Sequence, residues 1–108
     1  MKIPGAGGLE KQLKRQMEKL EHDMEAAQQE LSDLRVEATS GGGAVRAVAN
    51  GQGELLELYI APEAVDPNDV EMLQDLVLAA VREALEKGHK AQEEKMGSIT
   101  GGFGLPGF

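Results

Sequence analysis

The sequence has no cysteine and no tryptophan, and its aromatic residues are only Tyr59, Phe103 and Phe108. Without cysteine, neither a disulfide framework nor a thiolate metal site is available. With so few aromatic rings, a protein that stacks on the bases of single-stranded nucleic acid is disfavoured. The apolar run around Val77–Val81 is far too short to span a bilayer, and the first residues lack the apolar core of a signal peptide. We therefore expect a soluble cytoplasmic protein.

Residues that commonly carry catalysis or bind metal ions are also sparse. The two histidines, His22 and His89, do not have the spacing of a nucleophile or a metal site. Glu18 and Glu25 lie one helical turn either side of His22, but an acid-rich exposed helix produces that spacing by chance. The glycines at 41–43 are not followed by the Gly-Lys-Ser/Thr of a phosphate loop. We predict no enzyme, no catalytic residue, no metal, no cofactor and no small-molecule substrate.

Charge is abundant but unevenly distributed. A net charge of −8, averaged over the molecule, argues against a polyanionic partner. Residues 1–20, however, carry five Lys and Arg against two Glu, whereas residues 21–37 carry six acids against one Arg. Residues 61–96 are again acidic, with nine acids against four bases. The basic side chains of the two predicted helices form two clusters, which we expect at the helix ends far from the sheet: Lys11, Lys14, Arg15 and Lys19, and Lys87, Lys90 and Lys95.

The most regular pattern in the sequence is a heptad seam. Apolar residues are spaced alternately by four and three positions, which predicts a helix over Leu9–Leu34. Two interpretations fit this seam equally well. It packs against one or two partner helices, or it is an ordinary amphipathic helix lying on a sheet. The seam residues are Leu13, Met17, Leu20, Met24, Ala27, Leu31 and Leu34.

Residues 43–60 predict a β-hairpin around Asn50-Gly51-Gln52-Gly53, because Gly and Asn accept the positive φ that a tight turn requires. With Gly51-Gln52 as a two-residue loop, the predicted register pairs Val45 with Leu58 and Ala47 with Leu56 on one face. The same register pairs Arg46 with Glu57 and Val48 with Leu55 on the other. Residues 35–40 predict a third strand, joined to the hairpin by the glycines at 41–43, since two strands alone are marginal in water.

A second long helix is predicted after the hairpin. Asp66 is the expected N-cap and Pro67 the first helical residue. An apolar stripe from Leu73 to Leu85 packs, and the remainder of the helix is expected to project into water. Residues 1–8 and 97–108 are rich in Gly and Pro and are expected to be flexible. The sequence therefore predicts one α+β domain over residues 1–108, with a small antiparallel sheet between two long helices.

The order of these segments resembles the YbaB/EbfC family of bacterial nucleoid-associated proteins. The resemblance is carried by SGGGAV at 40–45, by NGQGEL at 50–55, and by Ile60 with the DPND run at 66–69 and EML at 71–73. The ending KMGSITGGFGLPGF at 95–108 also matches. The resemblance implies a homodimer with projecting helical arms that bind double-stranded DNA with little sequence preference. It also implies a location in the cytoplasm, on the nucleoid. Gly88 departs from the expected arm, because Ala is the better helix former there.

The resemblance assigns DNA binding to the two basic clusters. From the residues alone, solvated helix faces explain these clusters better than DNA contacts do. Dimerisation has a separate argument, because both faces of the hairpin are partly apolar and two helices of one chain cover one face more easily than two. The alternative function is a coiled-coil structural or chaperone protein resembling prefoldin. The predicted dimer contact consists of Val45, Val48, Leu55, Leu56, Leu58 and Tyr59.

Overall fold

The computed structural model describes residues 6–101 and contains two long helices and one three-stranded sheet. The elements are α1 (Ala6–Asp33), β1 (Val36–Ser40), β2 (Val45–Ala49), β3 (Leu55–Ile60) and α2 (Val70–Gly101). Short 3-10 turns at Gly41–Gly43 and Pro62–Ala64 follow β1 and β3. The sheet has the order β1-β2-β3 with both neighbouring pairs antiparallel, so the predicted α+β class is confirmed.

The third strand and its glycine turn are confirmed. Strand β1 pairs with β2 from Val36 opposite Ala49 to Ser40 opposite Val45. The three glycines between them have φ values of 59°, 69° and 95°, a conformation that other residues adopt only with strain. Ser40 then anchors this end of the sheet, because its hydroxyl donates a 2.5 Å hydrogen bond to the carbonyl oxygen of Leu76 in α2.

The predicted hairpin register is wrong by two residues. Val45 lies opposite Ile60 and Ala47 opposite Leu58, with a bulge near Val48 and Ala49. The cause is a longer turn, which spans residues 50–54 instead of two central residues. Asn50 organises it, since its side-chain oxygen accepts hydrogen bonds from the backbone N–H groups of Gln52 at 2.9 Å and Glu54 at 3.0 Å. An even shift leaves each β2 side chain on its predicted face.

Helix α2 starts three residues later than predicted. The carboxylate of Asp69, not that of Asp66, caps the helix by accepting a 3.2 Å hydrogen bond from the N–H of Met72. Asp66 instead accepts a bond from the N–H of Asn68 at 2.9 Å and holds a turn that contains Pro67. At its other end α2 continues through Gly97 to Gly101, so the expected tail begins inside the helix. Residues 1–5 and 102–108 lie outside the described residues.

The core lies between α2 and one face of β1 and β2. Val45, Ala47 and Ala49 of β2 are completely buried against α2, which contributes Ala80 and Ala84. Alanine at these positions lets the helix axis approach the strands closely, and larger side chains surround this centre. Strand β3 is left outside, with all six of its residues exposed. The core is completed by Ala38 and by the flanking residues Val36, Leu73, Leu76, Val77, Val81 and Leu85.

Helix α1 packs on α2 and on the hairpin turn, which resolves the two interpretations of the seam in favour of a partner helix. Ala27 and Leu31 are buried, and Leu31 accepts a 2.8 Å hydrogen bond from the N–H of Gly51. The helices run antiparallel, with Lys95 paired with Glu30, and with Ile99 and Leu20 lining the same cleft. The expectation that the second half of α2 projects into water is therefore only partly right, because one side of this segment packs on α1 while residues such as Lys90, Glu93 and Glu94 stay exposed.

The segment that does project is the first half of α1. Leu9, Leu13 and Met17 are 59%, 51% and 70% exposed. The molecule measures 83 × 25 × 18 Å, and its radius of gyration of 22.0 Å far exceeds the roughly 13 Å of a compact chain of this length. We call residues 6–19 the arm, and the side chains of Leu9, Leu13 and Met17 the arm stripe.

Candidate nucleic-acid interface

The four basic residues of the arm share one face of α1. With about 100° of rotation per residue, they lie within an arc of roughly 140°. The arm stripe lies on the opposite face, so the two surfaces do not compete for the same side of the helix. All four side chains are exposed, although Glu18 lies on the same face and lowers its net charge. We call this surface the cationic face, and it consists of Lys11, Lys14, Arg15 and Lys19.

The charges of the cationic face are available to an external anion. Over the described residues, none of its four side chains lies within 4.0 Å of a carboxylate oxygen. A phosphate that approached the face would therefore not have to displace an ion pair. The absence of a glycine or proline between Leu9 and Asp33 keeps these side chains on one continuous helix.

The second basic cluster is dispersed along α2, and part of it has other partners. The ammonium group of Lys87 donates a 2.8 Å hydrogen bond to the carbonyl oxygen of Glu37 in β1. Lys95 forms an ion pair with Glu30 of α1, and Lys90 is exposed. The expectation that this cluster lies far from the sheet is wrong for Lys87. DNA contact by these three residues stays a prediction, as it does for the cationic face.

Arg46, on the outer face of the sheet, is held by neighbouring side chains. The predicted partner was Glu57, but Arg46 forms an ion pair with Glu37 of β1 and lies 4.1 Å from the ring centre of Tyr59. The register explains the change, because Tyr59 and not Glu57 lies opposite Arg46. The hydrogen bond that Arg46 donates to Glu37 raises the pKa of the guanidinium, so Arg46 stays charged. Its charge is already paired by Glu37 on the outer face of the sheet.

The residues predicted for the dimer contact fall into two groups. Val45 and Val48 are buried within the chain, with exposed fractions of 0% and 3%, and they present no free surface. Leu55, Leu56, Leu58 and Tyr59 lie on β3 and are 38–45% exposed. Sequence reasoning missed Ile60, which is 39% exposed on the same strand. The exposed five form what we call the β3 surface.

The β3 surface lies on an edge strand, because β3 pairs only with β2 within the described chain. Its outer backbone groups are thus free to pair with another strand. The sequence carried a signal for Ile60, since this residue continues the alternation of Leu56 and Leu58 at the end of the predicted hairpin. An apolar edge strand of this kind is an interaction surface or an aggregation hazard.

Two other kinds of site find little support in the part of the chain that the structure covers. No group of three or more His, Cys, Asp or Glu side chains is arranged to hold a metal ion within those residues. No helix among them is both long and apolar enough to cross a membrane. The cleft between α1 and α2 has a mixed lining of charged and apolar side chains, among them Lys19, Asp23, Glu30 and Lys95 beside Leu20, Ala27 and Ile99.

The segment that contains these helices and strands matches a known protein family. The family model of the YbaB/EbfC DNA-binding family matches residues 7–103, which include the whole sheet, all of α2 and all but the first residue of α1. The chain belongs to the YbaB/EbfC DNA-binding family. The resemblance seen in the sequence is thereby confirmed.

Bacterial relatives of the YbaB/EbfC chain match over nearly their full length. A nucleoid-associated protein of Acetivibrio thermocellus is 51% identical over 107 residues, which cover 98% of this chain and 95% of that protein. A nucleoid-associated protein of Pelotomaculum thermopropionicum is 48% identical over 102 residues, with 94% and 97% covered. The crystal structure of an uncharacterized protein from Helicobacter pylori shares the fold, with a TM-score of 0.61, 22% identity, and 72% and 90% of the two chains covered.

Proposed function

We propose that this YbaB/EbfC protein is a non-catalytic, nucleoid-associated protein that binds double-stranded DNA through backbone phosphates with low sequence preference. Membership of a DNA-binding family and the names of the nucleoid-associated relatives support DNA as the binding partner. The observation that carries the mode of binding is the cationic face, whose unpaired side chains lie on a helix that projects from the rest of the molecule. Lys and Arg on such a surface neutralise phosphates independently of base sequence.

The shape of the molecule explains how a chain of net charge −8 binds a polyanion. Between Arg15 and Asp33 the helix axis rises about 27 Å. This distance is more than three Debye lengths at physiological ionic strength, where one is about 8 Å. The acids of α2 that lie over the sheet, such as Asp75, are therefore screened from a duplex on the arm, whereas the local field of the arm is positive.

Low sequence preference follows from the side chains available. Tyr59 lies against Arg46 in the sheet, and the arm has no aromatic residue for stacking on bases. Lysine is a flexible point charge, suited to phosphate oxygens more than to the bidentate reading of a base edge. Binding of this kind places the protein on the nucleoid in the cytoplasm, where it would influence nucleoid organisation and gene expression.

We further propose that the functional unit is a homodimer assembled through the β3 surface. A second subunit would cover five exposed apolar residues and pair the free edge of β3. It would also supply a second arm. Two cationic faces on one particle bind a duplex more tightly than one, since the second contact is intramolecular.

Charge reversal tests the site. We expect the Lys14→Glu/Arg15→Glu variant to lose affinity for duplexes of any sequence. If both side chains contact phosphates, the slope of log K against log salt becomes shallower by about 0.9 per lost contact. Titration of a labelled duplex at several salt concentrations measures both quantities.

The matched control for this test is Arg35→Glu/Arg82→Glu, which changes the net charge equally at two exposed residues outside the arm. We expect this control to keep the wild-type slope and most of the affinity. Equal losses in the two variants would show that net charge and not the cationic face governs binding, and would remove Lys14 and Arg15 from the site.

The exposed arm stripe favours the prefoldin-like alternative, because apolar side chains near the tip of a projecting helix are suited to an unfolded client. The two functions make different predictions. A chaperone suppresses the aggregation of a denatured client and gives no shift of a duplex at low salt. DNA binding gives the shift, with the salt dependence described above.

A further inference from the structure

The arm stripe is an apolar surface without a partner among the described residues. Leu9, Leu13 and Met17 are each more than half exposed, whereas Ala27 and Leu31, further along the same seam, are buried. The stripe residues are four positions apart, so their side chains recur about every 6 Å along the helix. Exposed apolar area of this regularity is destabilising in water unless something covers it.

The end of α2 lies next to the base of the arm. Ser98 and Ile99, in the last turns of α2, line the same cleft as Gln16 and Leu20 of α1. Because the two helices are antiparallel, α2 runs toward the tip of the arm and ends at Gly101, two residues beyond the Ile99 that lines this cleft with Gln16 and Leu20. The chain that follows Gly101 therefore starts near the base of the arm, where Met17 begins the arm stripe.

The composition and length of that following segment match the stripe. Residues 102–108, GFGLPGF, have no charged side chain and contain Phe103, Leu105 and Phe108. Seven extended residues reach about 23–25 Å, and the stripe from Met17 to Leu9 needs only about 12 Å. Residues two apart in an extended chain are about 6.6 Å apart, close to the repeat of the stripe.

We propose that residues 102–108 lie along the arm stripe of the same chain, with Phe103 near Met17 and Leu105 near Leu13. This contact replaces the expectation of a free tail. It covers the apolar side of the arm and leaves the cationic face, on the opposite side of the helix, open to solvent. The proposal is independent of DNA binding and does not require the protein to be a dimer.

Engineered cysteines test this contact in the full-length protein. The sequence has no cysteine, so a Leu13→Cys/Leu105→Cys variant contains the only two thiols. We expect mild oxidation to form an intrachain disulfide, seen as a monomer of altered mobility on a non-reducing gel. The matched control is Lys11→Cys/Leu105→Cys, whose first thiol lies about 160° around the helix. We expect the control to cross-link much more slowly.

Other results would overturn the proposal. Equal rates in the two variants would mean that the segment samples the arm without docking. A disulfide-linked dimer of the single variant Leu13→Cys would place a second copy on the stripe. A disulfide between Cys residues of two chains in the double variant would assign the covering segment to a partner subunit.

Hydrogen exchange gives a second readout that needs no cysteine. In the full chain carrying Phe103→Ala, Leu105→Ala and Phe108→Ala, we expect amides in the arm to lose protection relative to the wild type. Amides of β2, whose side chains lie in the core, should exchange as before. Unchanged exchange in the arm would overturn the proposal, because a covering segment reduces fraying of the helix it covers.

Discussion

At the scale of single residues, the hairpin turn contacts both helices, and two glycines allow these close contacts. A Cβ atom added to Gly51 would lie 2.6 Å from Cδ2 of Leu31. One added to Gly88 would overlap the carbonyl oxygen of Asn50 and lie 3.3 Å from its carbonyl carbon. Gly88, which looked like a flaw in a projecting arm, is required because the backbone of the turn contacts α2 there.

We expect Gly88→Ala to lower the free energy of unfolding by about 1–3 kcal/mol, because overpacking against backbone outweighs the gain in helix propensity. Gly97→Ala is the control, since no heavy atom lies within 4 Å of its added Cβ. That control should raise stability by about 0.5–1 kcal/mol. Urea denaturation measures both. A Gly88→Ala protein as stable as the control would show that the turn does not contact α2.

Asn50 stabilises the same turn through side-chain hydrogen bonds. Its side chain is 2% exposed, and its oxygen accepts from two backbone N–H groups of the turn. We expect Asn50→Ala to destabilise the protein by about 1–3 kcal/mol, since two backbone N–H groups of the turn lose a buried side-chain acceptor. Thermal unfolding followed by circular dichroism measures the loss. Gln52→Ala is the control, because Gln52 is exposed, and a loss as large there would contradict the special role of Asn50.

At the scale of elements, the patterns of the sequence predicted each helix and strand but not their neighbours. Heptad spacing indicated α1, yet only the fold shows that its second half packs on α2 and its first half does not. Turn chemistry indicated the hairpin, but a five-residue turn shifted the register. Strand β3 is exposed along its whole length, whereas Val45 and Val48 of β2, which were predicted for the same dimer contact, are buried within the chain.

The exposure of β3 leads to a prediction about assembly. We expect wild-type protein to be a dimer at micromolar concentration and the Leu56→Glu/Leu58→Glu variant to be a monomer. Charged side chains without partners are costly to bury in an apolar contact. Light scattering coupled to size exclusion measures the mass. The control, Glu57→Gln, should remain dimeric. A dimeric double variant would exclude the β3 surface as the contact, and a monomeric wild type would exclude the dimer itself.

At the scale of the whole molecule, elongation separates charges that a compact fold would average. The arm carries the cationic face, and residues 36–101, which include the sheet, α2 and the turns between them, carry twelve of the nineteen acids. An anionic body lowers affinity for DNA chiefly at low ionic strength, because its field is screened at high salt.

Neutralising acidic residues of α2 should therefore change the affinity for duplex DNA in a salt-dependent way. Asp75→Asn/Glu86→Gln removes two exposed charges of α2. We expect duplex affinity to rise by less than about tenfold at low salt and to match the wild type at high salt. Parallel titrations measure this difference. A gain that persists at high salt would mean that a direct contact near these residues was changed.

The sequence by itself determined the elements, the segregation of charge and the family, because each is written in local pattern or in the order of short motifs. The periodicity of apolar residues predicted the helices, the glycines predicted the turns, and the positions of Lys and Arg predicted the four basic residues of the arm. Only the tertiary structure decided which apolar residues are covered. Burial of Ala47 and exposure of Leu58, its neighbour across the sheet, depend on where α2 crosses the strands. That position is fixed by contacts between residues far apart in the chain, such as Asn50 with Gly88, which no local pattern contains.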